Sequence, residues 1–131
     1  MMTRRKSLVT MASAGTATAV AAPPAAASAI QLHVDLEVDP AKDKDLNANF
    51  RNTFRPTISK QPGFVEVKLL KFREAKVGTK PAGFNYRLLI SFQTEEQRTK
   101  WVASADHQRV WPTIESCLKG AKFAAMLYDV A

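Results

Sequence analysis

From Ile30 onward the chain alternates. Ile30, Leu32, Val34, Leu36 and Val38 are apolar, and Gln31, His33, Asp35 and Glu37 between them are polar. Period two over nine residues predicts a strand with one buried face. Asp39-Pro40 supplies a helix cap followed by a first-turn proline. Leu46, Phe50, Phe54 and Ile58 then recur every fourth residue, one apolar stripe on a helix. Pro56 is expected to kink or split its last turn. After the Pro62-Gly63 turn, residues 64–72 predict a second strand with Val65, Val67 and Leu69 on one face. Residues 75–83, rich in Gly, Pro and Lys, predict a loop. Residues 84–92 predict a third strand, with Phe84, Tyr86, Leu88, Ile90 and Phe92 opposite Asn85, Arg87 and Ser91. Thr94-Glu95-Glu96-Gln97 is a capping-box sequence that starts a helix running through Trp101. Ser104 and Asp106 can cap a further segment carrying Val110, Ile114, Cys117 and Leu118, bent by Pro112 and ended by Gly120. Residues 123–130 predict the last strand.

The order βαββαβ makes the expected fold α+β and ferredoxin-like, a four-stranded antiparallel sheet with helices on one face. The other face reads as mixed, with His33, Asp35 and Arg87 beside Val65, Val67, Leu69, Met126 and Tyr128 according to register. Such a half-apolar face favours association, and a homodimer packing sheet on sheet would cover it.

At 131 residues the chain is one small domain preceded by a different kind of segment. Residues 1–29 hold no Asp or Glu. They open on Thr3-Arg4-Arg5-Lys6, continue through a weakly apolar stretch 8–22, break at Pro23-Pro24 and end Ala27-Ser28-Ala29. This is the layout of an export signal. The arginine pair resembles a twin-arginine leader, and Ser7, where an aromatic is usual, leaves the ordinary secretory route open. The plain alternative is an Ala-rich tail. The expectation is an exported domain 30–131, periplasmic or secreted. Removing Arg4, Arg5 and Lys6 lowers the formal charge from +7 to +4. No basic cluster remains to bind nucleic acid, and no apolar run reaches the ~18–20 residues of a transmembrane helix. One cysteine and two histidines give neither a disulfide framework nor a metal site.

The segment Phe92-x8-Trp101-x2-Ser104-x2-His107 resembles the signature of the antibiotic biosynthesis monooxygenase superfamily. So do Arg55-Pro56-Thr57 and Gln61-Pro62-Gly63-Phe64, where the first helix enters the second strand. With the element order, the resemblance spans nearly all of residues 30–131. It implies a dimeric α+β barrel, with cofactor-free oxygenation of quinols and anthrones among the activities. Many members carry His where this chain has Trp101. The haem-degrading branch shares the Trp, but its haem-ligating His falls at Trp111 and its first-strand Asn at Val34. Haem degradation by that route is therefore not expected.

The reading that follows is an exported oxygenase needing neither cofactor nor metal, acting on a small aromatic or quinol-like compound. The alternative is a non-catalytic dimer that holds such a molecule. Oxygenation without a cofactor needs orientation, water exclusion and proton handling. His107 suits proton transfer near neutrality, and Trp101 can stack on a planar ligand and donate its indole N–H. Phe50, Phe54, Tyr86, Ser104 and Trp111 are candidates for binding the substrate. Each has a structural alternative: core anchor for the aromatics, helix cap for Ser104, and backbone-bonded helix start for His107. His33 and Asp35 share a strand face and could pair. Cys117 reads as a buried inert thiol. The charge runs 42–45 and 95–98 read as solvated helix faces.

Overall fold

The structure is a computed structural model describing residues 29–80 and 82–131. All of the expected leader except Ala29 lies outside the described residues. The alternating segment forms β1 (Ile30–Val38), a central strand of a four-stranded sheet. It pairs antiparallel with β3 (Tyr86–Phe92) on one side and β4 (Leu118–Asp129) on the other, and β2 (Phe64–Lys71) lies outside β3, giving the order β2-β3-β1-β4. Ile30, Val34, Leu36 and Val38 are buried against helices on one face. Register sets Tyr86, Leu88, Ile90 and Phe92 beside them.

Asp39 accepts the Ala41 N–H at 2.9 Å and starts a continuous helical run. The run consists of a 3-10 turn (Pro40–Lys42), α1 (Asp43–Asn49), a π turn (Phe50–Phe54) and α2 (Arg55–Ile58). The π turn has a physical reason. In a straight α-helix a four-residue step overshoots a full turn by about 40°, so a stripe of period four drifts off one face. The wider turn, closed by the Arg55 N–H on the Phe50 carbonyl, brings Leu46, Phe50, Phe54 and Ile58 back into line. All four are buried. It also absorbs Pro56, which lacks a donor and crowds the carbonyl four residues back. The α-helix is thus interrupted by the π turn just before Pro56, and the run continues past the proline to Ile58. Thr94 caps α3 (Glu95–Ala103) through the Gln97 N–H at 3.1 Å, and Ser104 caps α4 (Ala105–Glu115) through the His107 N–H at 3.1 Å.

Three sequence expectations are corrected. A bulge between Phe64 and Glu66 shifts β2 by one residue. Val67 and Leu69 therefore face the helices with Phe64, Val65 is exposed, and the open face carries Leu70 and Lys68. Phe84 and Asn85 precede β3; the Asn85 side chain instead binds both backbone groups of Val38, at 2.8 and 3.0 Å. Gly120 does not end a helix. α4 stops at Glu115, and Gly120 and Ala121, both at positive φ, sit where the β1–β4 register slips.

Gly63 (φ +81°) turns the chain into β2, and a Cβ there would stand 1.9 Å from Gln97 Oε1. Gly63→Ala must both hold a left-handed backbone and displace the carboxamide. Its denaturant midpoint should fall by the equivalent of about 1–3 kcal/mol with the slope unchanged.

Candidate active site

Between sheet and helices lies a cavity of about 220 Å³. Its sheet wall is Leu32 and Val34 of β1, Ile90 of β3, and Phe123 and Ala125 of β4. Its helix wall is Phe54, Arg98, Trp101, Val102, His107 and Trp111. Val34 and Ala125 are direct register partners, and these two small side chains leave room beneath the large rings opposite.

The rings form a continuous series. Trp101 stands edge-on to Phe54 (centroids 6.0 Å, 81°) and to His107 (5.1 Å, 82°). His107 lies nearly parallel to Trp111 (6.2 Å, 13°), and Trp111 stands edge-on to Phe123 (5.3 Å, 72°). Ser104 joins the two halves. Its hydroxyl donates to the Trp101 carbonyl at 2.7 Å and accepts the His107 N–H at 3.1 Å, so one residue ends α3 and starts α4. It positions Trp101 and His107 and does not line the cavity.

His107 Nδ1 is buried and has no hydrogen-bond partner among the described residues. Burial lowers the imidazole pKa below its ordinary value because it penalises the charged form, which favours the neutral imidazole, the form with a lone pair to accept a proton. Arg98 is the charged member of the lining. The reading of residues 95–98 as a solvated face is corrected here: the Arg98 side chain is only 19% exposed. Its Nε and Nη2 donate to the two Glu95 carboxylate oxygens at 2.6 and 2.7 Å, and this pairing holds the Glu95 carboxyl below its usual range. The signal in the sequence was its position three residues before Trp101, on the same helix face.

Of the predicted residues, the structure brings Phe54, Trp101, His107 and Trp111 together. Phe50 lies behind Phe54 (6.3 Å, 23°) under the Arg55 guanidinium and does not line the cavity. Tyr86 is also elsewhere. Its hydroxyl donates to Asp43 and accepts from Asn47 Nδ2 at 3.2 Å. Burial and the Asp43 carboxylate both raise its pKa, while the same bond lowers that of Asp43. Asp35 pairs with Arg87 at 2.7 Å, and His33 instead meets Gln31 at 2.8 Å and the Tyr128 ring at 4.8 Å. Cys117 is buried, which pushes its thiol pKa up.

No protein-family profile matches the chain, and no curated protein matches it in sequence. Solved structures do match. A candidate antibiotic biosynthesis monooxygenase from Bordetella bronchiseptica is 20% identical, with 77% of this chain and 95% of that one covered and a TM-score of 0.64. A dimeric ferredoxin-like protein of unknown function from Jannaschia sp. CCS1 is 15% identical, with 78% and 99% covered and a TM-score of 0.66. SnoaB, a cofactor-independent oxygenase from Streptomyces nogalater, is 15% identical, with 77% and 90% covered and a TM-score of 0.58. The fold is the ferredoxin-like fold they share. At these identities the likeness extends to the fold alone.

The depressed pKa of His107 has a sign. The unfolded imidazole, with pKa about 6.5, binds a proton that the folded one resists. Stability is therefore full above about pH 6.5 and is lost as pH falls through the lower folded value. His107→Gln should flatten this part of the curve, so that thermal melts at pH 7 and pH 5.5 differ less in the variant than in the parent.

Proposed function

We propose that the protein is an oxygenase of small aromatic or quinol-type compounds that needs no cofactor and works outside the cytoplasm once residues 1–29 are removed. The observation that carries this reading is the apolar cavity with a half-buried imidazole in its wall, whose buried Nδ1 has no hydrogen-bond partner among the described residues. A flat electron-rich substrate would stack against Trp101 and Trp111 and exclude water. His107 would take the proton whose loss makes the substrate reactive toward oxygen. The electrons come from the substrate itself. In an anthrone, a methylene becomes a carbonyl, one atom of O2 is retained and the other leaves as water. Three neighbours in fold support the reading by their names: two of them are an oxygenase and a candidate monooxygenase, and the third is a dimer.

The test is oxygen uptake by the purified protein over a panel of anthrones and reduced quinones, without added flavin or metal. Uptake above the spontaneous rate, lowered roughly 10²–10⁴-fold in His107→Ala, is expected. Binding without uptake would instead make the protein a small-molecule carrier.

The same proposal includes a homodimer. The face of the sheet away from the helices presents Leu70, Met126 and Tyr128, each about half exposed, around His33 and the Asp35–Arg87 pair. A second copy packed on this face would cover them. Sedimentation velocity should give a dimer for the parent and a monomer for Met126→Glu. A monomeric parent would overturn the assembly.

A further inference from the structure

The oxygenase reading leaves open how the cavity tolerates the anion that proton loss creates, and Arg98 answers this. Resting on that reading, we infer that Arg98 is a specificity-determining residue that holds the ionised oxygen of the substrate, so the cavity selects aromatic hydroxyl compounds that bind as mono-anions. Four observations carry it. The walls are otherwise hydrocarbon, indole and imidazole, surroundings in which a bare aryloxide is strongly disfavoured. Arg98 is the charged residue of that lining, and its side chain is four-fifths buried. Glu95 engages Nε and Nη2, while Nη1 makes no hydrogen bond among the described residues. Its two N–H groups therefore remain for a ligand. Finally, Glu95 fixes the guanidinium plane from outside, being the more exposed partner, so a ligand meets a donor already oriented.

The charged and titratable groups facing a ligand in the cavity are thus Arg98, His107 and, behind Arg98, Glu95. The division of labour is chemical. His107 receives the proton, and Arg98 receives the negative charge that remains. A cavity with the base alone would leave the anion only the imidazolium formed by its own proton transfer, and no cation once that proton departs. A cavity with the cation alone would bind only ligands already ionised.

The probe is 4-nitro-1-naphthol, whose absorbance reports its own ionisation, with its methyl ether as the neutral twin. Bound to the parent, the naphthol should ionise about one unit or more below its free pKa, as expected beside a cation. It should then outbind the ether by about tenfold or more at a pH where it is ionised. In Arg98→Met the bound pKa should rise above the free value, because the apolar cavity now acts alone. Arg98→Lys keeps the charge without the fork and should fall between. It also guards against misreading, since a merely structural Arg98 would give Lys and Met the same optical result. An equal pKa in the parent and Arg98→Met would overturn the inference and leave only the aliphatic stem as a wall. Failure of both naphthol and ether to bind the parent would instead overturn the cavity reading on which the inference rests.

Discussion

The spacing between the helix layer and the sheet governs this molecule. Helices cover one sheet face only, and their apolar stripe meets the strands through side chains of unequal size. Phe54, Phe92, Leu36, Leu46 and Ile58 are essentially fully buried and set the separation of the layers. Where the paired small side chains Val34 and Ala125 stand in the sheet wall beside Leu32, Ile90 and Phe123, the same separation leaves a gap beneath the rings. Close packing elsewhere prevents the layers from collapsing to fill it. The cavity is thus a consequence of small residues at two paired positions under a roof propped by large ones.

The polar groups of the site follow from that geometry. A layered interior of this kind has little room for charge, since an unpaired charge in hydrocarbon surroundings is costly. For His107, burial favours the neutral form. Arg98 instead remains charged through a carboxylate at the outer edge of the same helix. Both residues lie on the α3–α4 side, where the Ser104 break between those helices matters. It changes the chain direction within one residue, turning Trp101 and His107 toward each other.

Much of this was legible in the chain because the relevant signals are local. The alternation of residues 30–38, the stripe at 46, 50, 54 and 58 and the caps at Asp39, Thr94 and Ser104 each express a preference within a few residues, and the elements follow them closely. The departures are of another kind. The bulge in β2 and the slip at Gly120 and Ala121 are settled by pairing with a neighbouring strand, which pattern within one strand does not encode. Tyr86 lies on the helix-facing side of β3 as its alternation required. It misses the cavity because its end of the strand lies over α1, where Asp43 and Asn47 claim its hydroxyl. Arg98 was hidden by composition, since a charged residue among charged neighbours looks solvated until the helix is docked.

The period of β4 ties the two faces of the sheet together. Phe123 and Ala125 form cavity wall, while Ala124, Met126 and Tyr128 alternate onto the open face. β4 is an edge strand held by β1 alone among the described residues. A contact made on its open side therefore bears directly on the positions that shape the cavity. A one-residue slip toward Met126 would set that side chain in place of Ala125 in the wall and close the gap beneath the rings. The β1–β4 register, pinned by pairing from Ile30–Asp129 to Leu36–Phe123, thus serves the cavity and the open face at once. A second copy covering Met126 and Tyr128 would add burial that favours this register over the slipped one.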